Sequence, residues 1–231
     1  MREIIVMKNP MSTSLALFDL DNTLLAGDSD HAWGEFLITK KLVDEASHRK
    51  TNDEYYNDYR AGKLDVHAYV RFTITPILSL SPEERSDLHR EFMDTFIQPM
   101  VLDKAQKLIN SHKQAGDYCI IITATNEYVT GPIAKIFNVH HLLATELEID
   151  CGQFTGEILG IPCFREGKFE RLKLWISSQT ESYDLTASMF YSDSINDLPL
   201  LEKVTQAIAV DPDESLRQIA QTRNWEIISL R

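Results

Sequence analysis

Short apolar runs and amphipathic stretches alternate along this chain. Leu15-Ala16-Leu17-Phe18 is an uninterrupted apolar run of strand length and reads as a buried strand. An acidic turn follows. Then Gly27-Asp28-Ser29-Asp30 precedes Trp33, Phe36 and Leu37 at helical spacing, so Ser29 or Asp30 is expected to cap a helix. From about residue 30 to 96 the pattern holds no convincing strand and predicts four helical segments. Tyr55, Tyr56 and Tyr59 form an aromatic stripe on one segment, and another begins after Gly62-Lys63-Leu64-Asp65. Ser81-Pro82-Glu83-Glu84 is a strong helix start, with proline at the first helical position and acids in the first turn.

After this insert the period changes repeatedly. A helix over 101–114 stops at Gly116, where a left-handed backbone suits glycine. Strands are predicted at 118–123, 141–145, 186–191, 206–210 and 225–228, and helices at 126–137, 164–179, 195–203 and 213–222. Residues 147–150 and 154–158, joined by Cys151-Gly152-Gln153, read as a hairpin. Strand–helix alternation argues a parallel sheet covered on both faces. The expected fold class is therefore α/β: a Rossmann-like core built from 1–27 and 97–231, with a helical insert at 28–96.

Composition narrows the partners. A chain of 231 residues buries roughly 70% of its unfolded surface. The net charge of −12 disfavours nucleic acid and anionic membranes, which want basic patches. Cys119, Cys151 and Cys163 are odd in number and lack metal-type spacing, which fits a reducing cytoplasm. No apolar run is long enough to predict a transmembrane helix, and Ile4-Ile5-Val6-Met7 is too short for a signal-peptide core. The expected partner is a small molecule, and the expected state a monomer or homodimer.

Candidate chemistry begins at Asp19-Leu20-Asp21-Asn22-Thr23, directly after the first strand. Acids two residues apart at a strand end can face one spot, where open α/β sheets place ligands. They repel unless a proton or a cation lies between them. Mg²⁺, which takes carboxylate and phosphate oxygens, is the natural candidate; a solvated acidic turn is the plain alternative. Three further signals follow in order: Cys119-Ile120-Ile121-Ile122-Thr123-Ala124-Thr125-Asn126, then Lys168 within Arg165-Glu166-Gly167-Lys168, then Tyr191-Ser192-Asp193-Ser194-Ile195-Asn196-Asp197. Each has an ordinary reading. Thr123 would cap a helix starting near Asn126, Lys168 would be a surface lysine, and Asp193 and Asp197 would serve a helix start.

Acid pair, threonine, lysine and acid pair in that order resemble the four-part signature of the haloacid dehalogenase-like phosphohydrolases, over essentially the whole chain. The resemblance implies Mg²⁺-dependent phosphoryl transfer through an aspartyl-phosphate. Asp19 would be the nucleophile and Asp21 the general acid/base, its carbonyl also ligating the metal. Thr123 would bind a phosphate oxygen, and Lys168 would hold phosphate and nucleophile together. Asp193 would complete the metal shell, with Asn196 and Asp197 orienting waters. Backbone N–H groups near Leu20 and Ala124 would cradle the phosphate.

A helical insert after the first strand is similar to the cap of the phosphoserine-phosphatase-like branch (subfamily IB). This chain departs from those enzymes in three places. Asp28 stands where they carry a glutamate for the substrate ammonium. Thr73 stands where they carry an arginine for the substrate carboxylate, and Arg71 lies about 200° around the helix. Thr123-Ala124-Thr125-Asn126 replaces Ser-Gly-Gly-Phe. Asp28-Ser29-Asp30-His31-Ala32-Trp33-Gly34 resembles instead a group of bacterial cap-bearing hydrolases, some described as histidinol-phosphatases. That resemblance implies a small amine-bearing phosphomonoester, with Asp28 and Asp30 at the ammonium and Trp33 or Tyr55 stacked on a ring. Ala124, Thr125 and Asn126 would line the substrate. Phosphoserine, a broad set of phosphomonoesters, or a non-catalytic binding module on the same fold are the alternatives.

Overall fold

The computed structural model describes residues 13–231, so the Ile4–Met7 run lies outside the described residues. The chain opens with β1 (Thr13–Phe18), and α1 (Ser29–Thr39), α2 (Glu45–Arg60), α3 (Val66–Ile74) and α4 (Pro82–Phe92) follow before the next strand. Then come α5 (Asp103–Ala115), β2 (Tyr118–Asn126), α6 (Glu127–Phe137), β3 (His141–Thr145), β4 (Leu147–Asp150) and β5 (Gln153–Ile158). The chain ends with α7 (Glu166–Ser178), β6 (Tyr183–Ser192), α8 (Leu198–Leu201), β7 (Gln206–Val210), α9 (Glu214–Arg223) and β8 (Glu226–Ile228).

Six strands form a sheet in the order β3-β2-β1-β6-β7-β8, and every neighbouring pair is parallel. The strand order runs outward to one side from β1 through β2 to β3, then returns to the other side at β6. The switch point therefore lies at the carboxyl ends of β1 and β6, where such sheets bind ligands. β4 and β5 form a separate antiparallel hairpin, as expected.

Alternation along the central strands builds two apolar layers. Leu15 and Leu17 of β1, with Ile120 and Ile122 of β2, face Leu172, Leu200 and Leu216 on α7, α8 and α9. Ala16, Phe18, Cys119 and Ile121 face the other layer, which runs without a break into Trp33, Phe36, Val70, Ile74, Leu88 and Phe92 of the inserted helices. Trp33 is fully buried; its indole Nε1 donates to the Thr73 carbonyl at 3.1 Å. Its ring meets Phe92 and Tyr128 edge-on, at centroid distances of 5.1 and 5.5 Å. Gly34 allows α1 to lie against α2, because a Cβ there would sit 2.5 Å from the Asn52 amide.

Several boundaries differ from those read in the sequence. Asp28, not Ser29 or Asp30, caps α1, accepting from the Asp30 and His31 amides. β2 continues to Asn126, three residues past the predicted end, and Asn126 rather than Thr123 caps α6 through Val129 N. The helix expected over 195–203 is a 3₁₀ turn, Ile195–Asp197, followed by the single turn of α8. Pro199 supplies no N–H there, and Asp197 turns its carboxylate inward instead of capping. α4 ends in a π turn at Met93–Ile97 and a 3₁₀ turn around Pro99. The three cysteines are free: Cys119 and Cys163 are buried, and Cys151 is exposed.

Trp33→Ala removes the largest buried side chain of the inserted helices and leaves the Thr73 carbonyl without its donor. A loss of about 3–5 kcal/mol is expected for such a change, read as a fall in the urea midpoint at unchanged m-value. An unchanged midpoint would contradict the placement of Trp33 in the core.

Candidate active site

The carboxyl ends of β1 and β6 deliver the site. Asp19 leaves β1 with its N–H bound to the Tyr191 carbonyl of β6 at 2.9 Å, which ties the acid to its neighbouring strand. The N-terminal part of α7 brings Lys168 beneath it. Lys168 is 1% exposed, and its Nζ donates to Asp19 Oδ1 at 2.7 Å and to Asp197 at 2.7 Å. Lys168 is therefore not a surface lysine. Burial alone would weaken its proton, but Asp19 and Asp197 more than offset that and raise its pKa, so the ammonium persists. Ser192 adds a 2.7 Å hydrogen bond to Asp197.

Thr23 was not singled out in the sequence, yet it connects the two acidic loops. Its hydroxyl donates to Asp193 Oδ1 at 3.0 Å, accepts from Asp193 N at 3.0 Å, and lies 3.4 Å from Asp19 Oδ2. The signal was available: Thr23 falls four residues after Asp19 in a tight turn, so it folds back onto that acid. Asp21 is held by two donors. Ser29 N gives to Oδ1 at 2.7 Å, and the Thr125 hydroxyl gives to Oδ2 at 2.8 Å. Thr123 is 1% exposed and also lines the pocket, its Oγ1 accepting from Thr125 N at 3.3 Å.

The remaining candidates divide. Asp28 and Asp30 stand on the pocket wall with Asp19, Ala124 and Thr125. Asp28 Oδ1 is already engaged in capping α1, while Asp30 Oδ1 is buried with no partner among the described residues. Asn126 caps α6 and is not on the pocket wall. Asn196 points toward the inserted helices, donating to the Tyr59 carbonyl at 2.7 Å. Trp33 belongs to the core, whereas Tyr55 reaches the pocket together with Tyr56, Tyr59 and Tyr69. Leu64, Val66 and Val70 complete an apolar side. The enclosed space is narrow, about 30 Å³. That is room for two or three waters at roughly 10–15 Å³ each.

Charge is unbalanced here. Burial, opposed by Lys168 and reinforced by Asp21, leaves the Asp19 pKa raised. Burial and then Asp28 push Asp21 up to about 7. Asp193 stands well above the carboxylate range from burial, then Asp19 and Asp197. Burial also lifts Asp197 to about 6 and raises Asp28 and Asp30, the last also through Asp28 and Asp21. Lys168 is the buried cation that the described residues set among these acids. A carboxylate cluster this poor in positive charge suits a hard divalent cation. Asp19, Asp193 and the Asp21 carbonyl are the groups that would offer it oxygen donors. Among the described residues, no three His, Cys, Asp or Glu side chains are placed to hold a metal ion by themselves.

Comparison with known proteins agrees with this geometry. The profile of the haloacid dehalogenase-like hydrolase family matches residues 16–202. A histidinol-phosphatase of Neisseria meningitidis serogroup C is 41% identical over 222 residues, covering 94% of this chain and 99% of that protein. A Bordetella pertussis Tohama I protein of unknown function has a crystal structure that superposes with a TM-score of 0.88 at 43% identity, covering 96% of this chain and 100% of that one. A phosphoserine phosphatase solved as a phospho-aspartyl intermediate analogue shares the fold at a TM-score of 0.68 and 17% identity, over 95% of this chain and 94% of the other. This chain belongs to the haloacid dehalogenase-like hydrolase family and is one of its phosphatases.

Proposed function

We propose that the chain hydrolyses a small amine-bearing phosphomonoester, histidinol phosphate being the best fit, through an aspartyl-phosphate on Asp19 with Mg²⁺ as cofactor. The observation that carries the substrate reading is Asp30, a buried carboxylate on the pocket wall whose Oδ1 has no partner among the described residues. A buried acceptor left unpaired is costly, and an incoming ammonium would satisfy it. Tyr55 and Tyr69 supply faces for a flat cationic or aromatic ring. A carboxylate-bearing substrate finds less. Arg71 pairs with Glu157 on the outside at 3.0 Å. Thr73 is buried and bonds the Val70 carbonyl. The likeness to the Neisseria histidinol-phosphatase supports the same choice.

The residues suit each step. Lys168 fixes Asp19 Oδ1, which leaves Oδ2 as the attacking oxygen. Asp21 has a pKa near neutrality, so it can carry the proton that the leaving alcohol needs and then take one from water. Ser29 N must donate to Oδ1, but the Thr125 hydroxyl can reverse its role. The proton therefore belongs on Oδ2, with Thr125 as acceptor. The Thr123 hydroxyl and the backbone near Ala124, just before the N-terminus of α6, face the phosphate. When bound, the metal would neutralise charge on phosphate and acids. α2 and α3 form the cap over this site, and admission of a substrate requires them to swing away from a cavity of about 30 Å³.

Asp19→Asn should lower turnover by roughly 10³-fold or more with the fold intact by circular dichroism; retained hydrolysis by pure variant would sink the aspartyl-phosphate. EDTA should silence the enzyme and Mg²⁺ restore it, and full activity in chelated protein would remove Asp193 from its role. Asp30→Asn should raise KM for histidinol phosphate by roughly 10-fold or more, the worth of a charge-assisted bond, while p-nitrophenyl phosphate is hydrolysed about as before. Equal effects on both substrates would overturn the amine-binding role, and a wild-type preference for phosphoserine in kcat/KM would overturn the choice of histidinol phosphate.

A further inference from the structure

The turn between α2 and α3 is clamped to the catalytic core by two side chains, Asn196 and Arg165. Asn196 Nδ2 donates to the Tyr59 carbonyl at 2.7 Å, and Arg165 Nη1 donates to the Gly62 carbonyl at 3.1 Å. Both carbonyls lie at the C-terminal end of α2, the negative end of its dipole. Gly62 adopts φ +68°, and a Cβ there would lie 3.2 Å from Asn196 Oδ1, so the close approach needs glycine. Arg165 itself holds φ +52° and ψ −119°, an unfavourable backbone for any residue with a side chain. Strain of this kind persists where the surroundings enforce it. Phe164, its neighbour, packs on the Tyr59 ring at 5.8 Å.

The position of the two clamping residues gives the contact its meaning. Asn196 sits between Asp193 and Asp197, in the loop that carries two of the site's acids. Arg165 stands three residues before Lys168, at the start of α7. Tyr59, whose carbonyl Asn196 holds, lines the pocket, and the Ser194 hydroxyl lies against its phenol.

We propose that Arg165 and Asn196 are positioning residues that latch the α2–α3 turn onto the acidic loop, so that Tyr59 seals the phosphoryl end of the pocket when the site is filled. The latch makes cap closure depend on the same loop that binds the metal and on the same helix that carries the lysine. It rests on the phosphatase reading for its consequence in catalysis, but its structural part stands independently of substrate identity.

Arg165→Ala tests it, since Arg165 is exposed and makes no contact with the reacting groups. Hydrogen–deuterium exchange is followed with and without Mg²⁺ and inorganic phosphate. In the wild type those ligands should slow exchange across residues 58–66. In the variant that protection should fall by on the order of tenfold, the loss of one charge-assisted bond, with β1 and β2 unchanged. KM for the amine-bearing substrate should rise by a similar factor with kcat altered less, and Arg165→Lys should recover part of both. Gly62→Ala, which displaces Asn196, should reproduce the pattern if Arg165→Ala proves unstable. Unchanged exchange at 58–66 would overturn the latch whatever the substrate. Faster exchange with unaltered KM would overturn it as well, because the contact would then be only structural. Normal latch behaviour with no turnover of histidinol phosphate would instead count against the substrate reading alone.

Discussion

The ammonium of Lys168, buried between Asp19 and Asp197, organises the whole site. Taking a charge into an interior costs several kcal/mol per ion unless good geometry offsets it. Here one cation joins the acid after β1 to the acid in the turn after β6, at 2.7 Å on each side. That requirement fixes where α7 begins, how closely β1 and β6 must approach, and why Asp197 faces inward instead of capping a helix. Ser192 completes the arrangement by satisfying another lone pair of Asp197.

One lysine does not balance the acids gathered there. Burial first, and then the neighbouring carboxylates, raise the pKa values of Asp19 and Asp193, as expected of a place suited to receive positive charge. In the proposed function two kinds of cation would share the pocket: a metal held by Asp19, Asp193 and the Asp21 carbonyl at one end, and a substrate ammonium beside Asp28 and Asp30 at the other. Asp21, held near neutrality between the two ends, has the environment expected of a group that both gives and takes a proton.

The inserted helices take part in the same electrostatic arrangement. They bring tyrosines and aliphatic side chains, which exclude water and strengthen each interaction inside. They are secured at both ends of that role. Trp33 and Phe92 anchor them to the sheet layer, and Asn196 with Arg165 grips the turn beside Tyr59. The rigid anchor and the polar grip differ in kind. A packed aromatic core does not open readily, whereas two hydrogen bonds, one half-buried and one exposed, can break and re-form.

The sequence by itself determined the alternation of strands and helices, the helical insert, and the order of Asp19, Asp21, Thr123, Lys168, Asp193 and Asp197, because period and strand-end position are local properties of a chain. Helical spacing also set Arg71 and Thr73 on different faces of α3, but which face meets the pocket was decided only by the packing of the helix. Tertiary structure decided the rest. That Asp28 caps α1 while Asp30 Oδ1 is left without a partner among the described residues depends on how α1 packs against its neighbours. That Asn196 serves the α2–α3 turn, that Trp33 is core, and that Thr23 bridges two acidic loops depend on contacts between residues far apart in the chain. Local pattern carries no information on such pairs. They exist only once the sheet closes and the insert packs on it.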